Sequence, residues 1–463
     1  MGSSNDGSGG GEWQQKHPYH KQKRQLPIET VLVMQGGGSL GAYECGVYKS
    51  LAKHNVKFDI VAGTSIGAIN AAIIAADRNN DGNDNDNNNN SLSSFGGAGA
   101  KALENFWLEL AETILPLPDN MSDLYFTDEM RANIAAMHSA LCGNPKAFYP
   151  RWVLSDLISS LSSLSSFKPL PYPMFDITPL KETLNRYVDL KLLTIGNDIT
   201  TSIDSKNNKN DSSKNNNKNN NRPRLIVTST DVKTSKPVVF DSKQTSIGVE
   251  DIVASACFPF YGISWIKKGE RYLWDGALLS NTPLREVIDA SPIADKIVYL
   301  VNIFPHNQDE LPQDMFEVWH RARDIIYTDK TDSNIRMSKV ISRYLSLLDE
   351  IHDLLMITAN KNLNQKQLRG EEDDEEEEND QDRILRGRFM KMEQEYNKLA
   401  IQRGAIIRKI VRVERPEKIH FLFEDADFSV ATIKDLIKQG EDDAEKVLQS
   451  EEKEGNRSNV HEY

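Results

Sequence analysis

No run of about 18 uninterrupted apolar residues occurs in the 463-residue chain, so a membrane-spanning helix is not expected. The first thirty residues also lack the apolar core of a signal peptide, and the expected location is cytoplasmic, with peripheral membrane contact left open. Met1-Gly2 would begin a myristoylation signal, but Asp6 stands where that signal wants Ser or Thr. Cysteine is scarce: Cys45, Cys142 and Cys257 are odd in number, widely spaced and without metal-ligand rhythm, so they suggest neither a disulfide framework nor a zinc site, and buried free thiols are the expectation. Basic residues are dispersed, and their short cluster Lys21 to Arg24 lies in a terminal stretch of low apolar content, so no nucleic-acid partner is expected. No calcium loop is visible, and no metal or cofactor is expected.

What the chain does hold is unevenly spread. Segments 1–28 and 451–463 read as disordered, as do two Asn-rich inserts at 79–98 and 204–222, because such composition buries too little surface to offset chain entropy. Eight consecutive acids, Glu371 to Glu378, sit in an acidic loop spanning 369–383 and supply much of the net charge of -13. That acidity reads as a solvated loop and not as a partner signal.

Between Thr30 and Asp77 the pattern alternates strand, glycine turn, helix, strand, turn, helix, which predicts a parallel sheet covered by helices. Helical spacing resumes at Ala102 to Leu115 and over much of Met121 to Phe167, where Leu154, Leu157, Ile158, Leu161 and Leu164 form one apolar stripe. Pro179 to Val188 reads as a helix, while Leu225 to Thr228, Val238 to Phe240, Tyr272 to Trp274 and Lys296 to Phe304 read as strands. Beyond 304 the pattern turns mostly helical through 450, with one strand at Ile419 to Phe423 and a last helix that Ser429 would cap.

Two glycine motifs carry chemistry. Gly36-Gly37-Gly38-Ser39-Leu40-Gly41 satisfies the dinucleotide fingerprint between a strand and a helix, but its ribose-binding acid should close the next strand. Asp59 instead precedes that strand, and Gly63-Thr64-Ser65-Ile66-Gly67 follows it. That second motif is a nucleophile elbow, in which a sharp turn between small neighbours pushes a serine hydroxyl out at a helix N-terminus; glycine-flanked serines also cap helices for stability alone. The run Gly36, Gly37, Gly38 offers unobstructed amides to the oxyanion that acyl transfer creates. Asp275, closing a strand and followed by Gly276-Ala277, offers a carboxylate base.

With these three motifs, in this order, the sequence resembles the patatin-like phospholipase family over roughly Thr30 to Phe304. The resemblance implies a three-layer α/β fold with a central, mainly parallel sheet, an acyl hydrolase domain at 29–304 and a mostly helical C-terminal extension at 305–450. It also implies a Ser-Asp dyad: Ser65 as nucleophile and Asp275 as base, with Gly36, Gly37 and Gly38 as the oxyanion turn and Gly41, Gly63, Gly67, Gly276 and Ala277 as supporting residues. The implied substrate is a lipid ester. Leu40 departs from the pattern, since many relatives carry Arg or Lys there.

Two alternatives stand beside this reading. His306 follows Asp275 in the order an α/β-hydrolase triad requires, and a non-catalytic lipid-binding or scaffold protein would keep the same fold. For a dyad the acidic limb of the rate profile is expected to follow a carboxylate and not a group near 6.5. The loop Phe258 to Tyr261 is expected to line an acyl channel.

Overall fold

The computed structural model describes residues 27–76, 95–111, 127–151, 172–194, 222–291, 294–308, 311–328, 331–368, 406–416 and 423–458, with a few isolated residues between 384 and 395. Strand β1 (Ile28–Met34) leads through a short 3-10 turn (Gly38–Leu40) into α1 (Gly41–Lys53), and β2 (Ile60–Thr64) leads through Ser65 into α2 (Ile66–Ala75). Helices α3 (Phe95–Ala111) and α4 (Asp128–Cys142), the two-residue strands β3 (Tyr149–Pro150) and β4 (Phe175–Asp176), and α5 (Thr178–Tyr187) follow. The chain then forms β5 (Arg224–Asp231), β6 (Lys236–Asp241), α6 (Val249–Ala254), β7 (Ile266–Lys268), β8 (Arg271–Asp275), α7 (Leu284–Ala290) and β9 (Asp295–Asn302). It closes with α8 (Met315–Thr328), α9 (Thr331–Leu368), β10 (Ile407–Glu414) and α10 (Val430–Ser458).

One sheet organises these elements, in the order β10-β9-β1-β2-β5-β8-β7, with β6 paired to β5 off that path. The first five strands of that order are mutually parallel, while β6, β8 and β7 pair antiparallel. Period-two alternation explains why β1 is apolar throughout its second half. Leu32 and Met34 face the larger core with Leu40, Ile69 and Trp107, whereas Val31 and Val33 face a smaller one with Ile60, Val298 and Leu284. Both faces are covered, as a parallel sheet requires.

Among strands, β5 positions the site. Its Arg224 to Thr228 pair with β2, its Ser229 to Asp231 with β8, and its Ile226 to Asp231 with β6. Since β6 overlaps both other pairings, it holds one edge alone, and β2 and β8 share the opposite edge. They run toward each other there and meet at their C-terminal ends.

The structure moves several expected boundaries. β10 at Ile407–Glu414 was not expected, while the expected strand Ile419 to Phe423 lies outside the described residues except for Phe423, which sits in a left-handed turn at φ 64°. Helix α3 begins at Phe95, inside the expected first insert, and α10 continues to Ser458 through residues expected as tail. Ile433, Leu436, Ile437, Ala444 and Leu448 give α10 a buried face, and Glu451 pairs with Lys409, which is why the helix persists. Ser429 does cap α10, accepting from Thr432 N at 3.4 Å. Cys142 is exposed at the end of α4, contrary to the expected burial, while Cys45 and Cys257 are buried. The apolar stripe Leu154 to Leu164, the bulk of both Asn-rich inserts and the acidic loop lie outside the described residues. Among the described residues no helix is long and apolar enough to cross a membrane.

Candidate active site

Thr64 pairs with Thr228 and Asp275 with Ser229, so the β2 and β8 ends register on consecutive residues of β5. The chain leaves β2 through Ser65, whose φ 55° and ψ -123° lie where a non-glycine residue is strained. The strain is held in place by a hydrogen bond from Ser65 N to Ser255 Oγ at 2.8 Å and by α2, whose Ala68 and Ile69 amides donate to the Ser65 carbonyl. Small neighbours are compulsory: a Cβ on Gly63 would come within 2.1 Å of the Gly67 carbonyl oxygen, and one on Gly67 within 2.7 Å of the Met34 carbonyl oxygen. The result is a serine hydroxyl at the N-terminus of α2, donating to Asp275 Oδ2 at 2.7 Å.

Asp275 is fully buried, and its other oxygen accepts from Ala277 N at 2.8 Å. Burial pushes its pKa up to about 7, against the lowering effect of the hydrogen bonds from Ser65 and Ala277. A carboxylate so placed titrates where an imidazole would, so the expected pH distinction between dyad and triad is lost. Position on the pH axis no longer identifies the base. His306 stands elsewhere, its ring nitrogens 3.5 Å from Asp332 and 3.6 Å from Glu414.

The glycine turn after β1 lies beside Ser65, but its three amides are not equivalent. Gly36 N donates to Asn281, to Oδ1 at 3.1 Å and to the carbonyl at 3.3 Å, so it is committed to fixing the turn. Among the described residues, the amides of Gly37 and Gly38 make no hydrogen bond within the chain. The expected three-donor turn therefore reduces to two available donors. Gly38 adopts φ +57°, and a Cβ there would meet the Asp425 carbonyl oxygen at 2.1 Å. Gly41 opens α1, its carbonyl accepting from Asn70 Nδ2, and Gly276 begins the tight turn that presents Ala277 N. Leu40 is fully buried in the core and brings no cation to the turn.

Ser65, Asp275, Ala277, Asn281, Gly36, Gly37 and Gly38 line a cavity of about 120 Å³. Its remaining walls are mostly apolar, including Ile69, Leu110, Phe148, Leu180 and Phe428, with Asp425 and two tyrosines among them. Engineered apolar cavities of about 150 Å³ stay dry and admit a benzene ring, so this space suits a hydrocarbon better than water. Phe258 and Tyr261 line this cavity, while Phe260 between them points out to solvent at 81% exposure.

Residues 32–288 match the family described as Patatin-like phospholipase. The chain belongs to the patatin-like phospholipase family. It is 33% identical over 114 residues to a protein of Meyerozyma guilliermondii named Lysophospholipase NTE1, covering 24% of this chain and 7% of that protein. It is 34% identical over 61 residues to the Triacylglycerol lipase SDP1L of Arabidopsis thaliana, covering 13% of this chain and 8% of that one. The chain thus matches less than a tenth of either relative's length. VipD from Legionella pneumophila aligns in structure over 92% of this chain and 67% of its own at 12% identity, with a TM-score of 0.32, a distance at which no site transfers.

The patatin-like match ends before several residues that shape this cavity. Phe304, Tyr327, Asp425, Ala426 and Phe428 all line it from beyond residue 288. Sequence reasoning missed these, and also Asn281, Ser255 and Gln35. Gln35 Oε1 accepts from Ile303 N at 2.8 Å while its Nε2 donates to the Tyr327 carbonyl at 2.8 Å, tying the turn to β9 and α8. One signal was legible: Ser280-Asn281-Thr282 is a polar cluster close behind Asp275 in an apolar stretch.

Proposed function

We propose that the protein is a lipid acyl hydrolase that works through a Ser65-Asp275 dyad. The observation that carries this reading is the 2.7 Å hydrogen bond from the Ser65 hydroxyl to a buried carboxylate inside an apolar cavity. In this reading an ester acyl chain lies along the apolar walls and its carbonyl carbon sits over Ser65 Oγ. Asp275, ionised, takes the hydroxyl proton as Oγ attacks. Negative charge passes to the carbonyl oxygen, which the amides of Gly37 and Gly38 receive, each donor contributing about 10²- to 10³-fold in rate. The positive end of α2 adds to that field. Asp275 then returns the proton to the leaving alkoxide, and the same carboxylate draws a proton from water to release the acid from the acyl-serine.

The lipid-ester part of the proposal draws support from family membership and from relatives named for lysophospholipid and triacylglycerol hydrolysis. The experiment is a side-by-side assay of phospholipid, lysophospholipid and short-chain ester with wild type and Ser65→Ala, together with a fluorophosphonate probe. Labelling that disappears in Ser65→Ala, with hydrolysis lost in parallel, is the expected result. Folded wild type that neither labels nor hydrolyses any of the three would overturn it in favour of a non-catalytic lipid-binding scaffold.

A further inference from the structure

Helix α9 runs for 38 residues, from Thr331 to Leu368, and its start is tied to the sheet and to α7. There Ile335 is buried with Leu284 and Ile407, and Asp332 accepts from Arg412 of β10. Beyond that anchor, Met337, Val340, Tyr344, Leu347 and Ile351 follow one another at alternating steps of three and four, and the spacing continues through Leu354. Tyr344 is 65% exposed, Met337 60% and Leu347 53%. Sustained 3.5-residue periodicity is the pattern by which one helix packs along another, and a helix this long with such a seam is not stabilised by its own hydrogen bonds alone.

The charges beside the seam say which helix. Arg336, Lys339 and Arg343 precede its midpoint and Glu350 and Asp353 follow it. A parallel copy would set like charges side by side, whereas an antiparallel copy sets the basic half against the acidic half. In antiparallel register Val340 packs against Ile351 and Tyr344 against Leu347, each twice by symmetry. The same register puts Arg343 opposite Glu350 of the second copy, again twice, which is the self-complementarity a two-fold interface demands. A lipid surface has no register to read and favours a basic polar face, which the acidic half of α9 lacks.

We propose that α9 is a self-association helix, through which two copies of the chain pair antiparallel along the seam from Met337 to Ile351. Sedimentation of the full-length protein at micromolar concentration tests this. Wild type is expected at twice the chain mass. Leu347→Glu with Ile351→Glu should weaken association by about a hundredfold or more and give monomers. Arg343→Glu or Glu350→Arg alone should weaken it by about tenfold, and the two together should restore it, because the pair is re-formed with its signs exchanged. The exchange lies on an exposed face and keeps the test decisive even if the double glutamate variant fails to fold. A monomeric wild type, dimers indifferent to the seam, or an exchange that does not restore pairing would overturn the proposal. So would a monomer that binds anionic vesicles through Leu347 and Ile351, which would make the face a lipid contact. Fluorophosphonate labelling of Ser65 should be the same in all of these variants, so this result and that of the dyad are independent.

Discussion

The Ser65 hydroxyl reaches Asp275 because β2 and β8 end head-on against Thr228 and Ser229, neighbours on one edge of β5. Backbone ladders on a single strand thus set a contact between residues 210 apart in sequence. Asp275→Asn keeps the size and shape of the side chain but cannot take the proton. Its kcat should fall by about 10²- to 10⁴-fold, while KM, governed by the apolar walls, should change by less than about threefold. Steady-state kinetics on a short-chain ester check both numbers.

Activity should rise with pH through about 7, because Asp275 must be ionised to act and burial holds its pKa there. A histidine relay would give a limb in the same place. The two differ in heat of ionisation, which is small for a carboxylate and substantial for imidazole, so a dyad limb should stay put as temperature is raised. Rate profiles at several temperatures, for wild type and His306→Ala, should show an unmoved midpoint and unimpaired activity.

The same burial carries a stability cost with a definite sign. A carboxylate whose folded pKa is raised from the usual value near 3.9 to about 7 favours the folded state fully below pH 4, and that contribution is lost as pH rises toward 7. Above pH 8 the cost approaches about 4 kcal/mol. Asp275→Asn should therefore melt higher than wild type at pH 8, and this advantage should shrink toward nothing at pH 4. Thermal unfolding at the two pH values measures it.

Gly37 and Gly38 should respond unequally to alanine. At Gly37 the added methyl meets the Ile303 δ-methyl, the free end of a flexible side chain, so the protein should fold and lose activity moderately. At Gly38 it meets the Asp425 backbone at 2.1 Å and a positive φ besides. Gly38→Ala should lose about 10²-fold or more in kcat and melt lower than Gly37→Ala, as kinetics and thermal scans of the pair would show.

Helix α10 lies so close on α1 that a Cβ on Gly440 would approach the Tyr43 carbonyl oxygen to 2.0 Å, and one on Gly46 the Ile437 carbonyl oxygen to 1.9 Å. Gly440→Leu should force the helices apart and cost about 1 to 3 kcal/mol. Because Asp425, Ala426 and Phe428 just before α10 wall the cavity, KM for a lipid ester should rise with it. Denaturant melts and substrate titration of this one variant report both effects.

The sequence made the parallel core legible because β1, β2 and β9 are apolar runs bounded by punctuating residues, and the elbow legible because its steric demand leaves only small residues around Ser65. Asp275 was legible as a carboxylate closing a strand. What was hidden depended on distance in space. Asn281 taking the Gly36 amide follows from how the α7 approach packs on the turn, which no local pattern encodes. β10 was hidden because its Arg-Lys-Ile-Val-Arg-Val run alternates like an edge strand lodged among helical patterns, and only pairing with β9 decides it. The raised pKa of Asp275 was hidden as well, because burial, not residue type, sets it.

The cavity's last wall, Asp425 to Phe428, is translated long after both members of the dyad. A ribosome-bound chain that has emerged only as far as Phe304 carries Ser65 and Asp275 but leaves the cavity without its wall on the Gly38 side. Enclosure of Ser65 and Asp275 in one cavity therefore depends on a segment that the chain supplies 150 residues after Asp275.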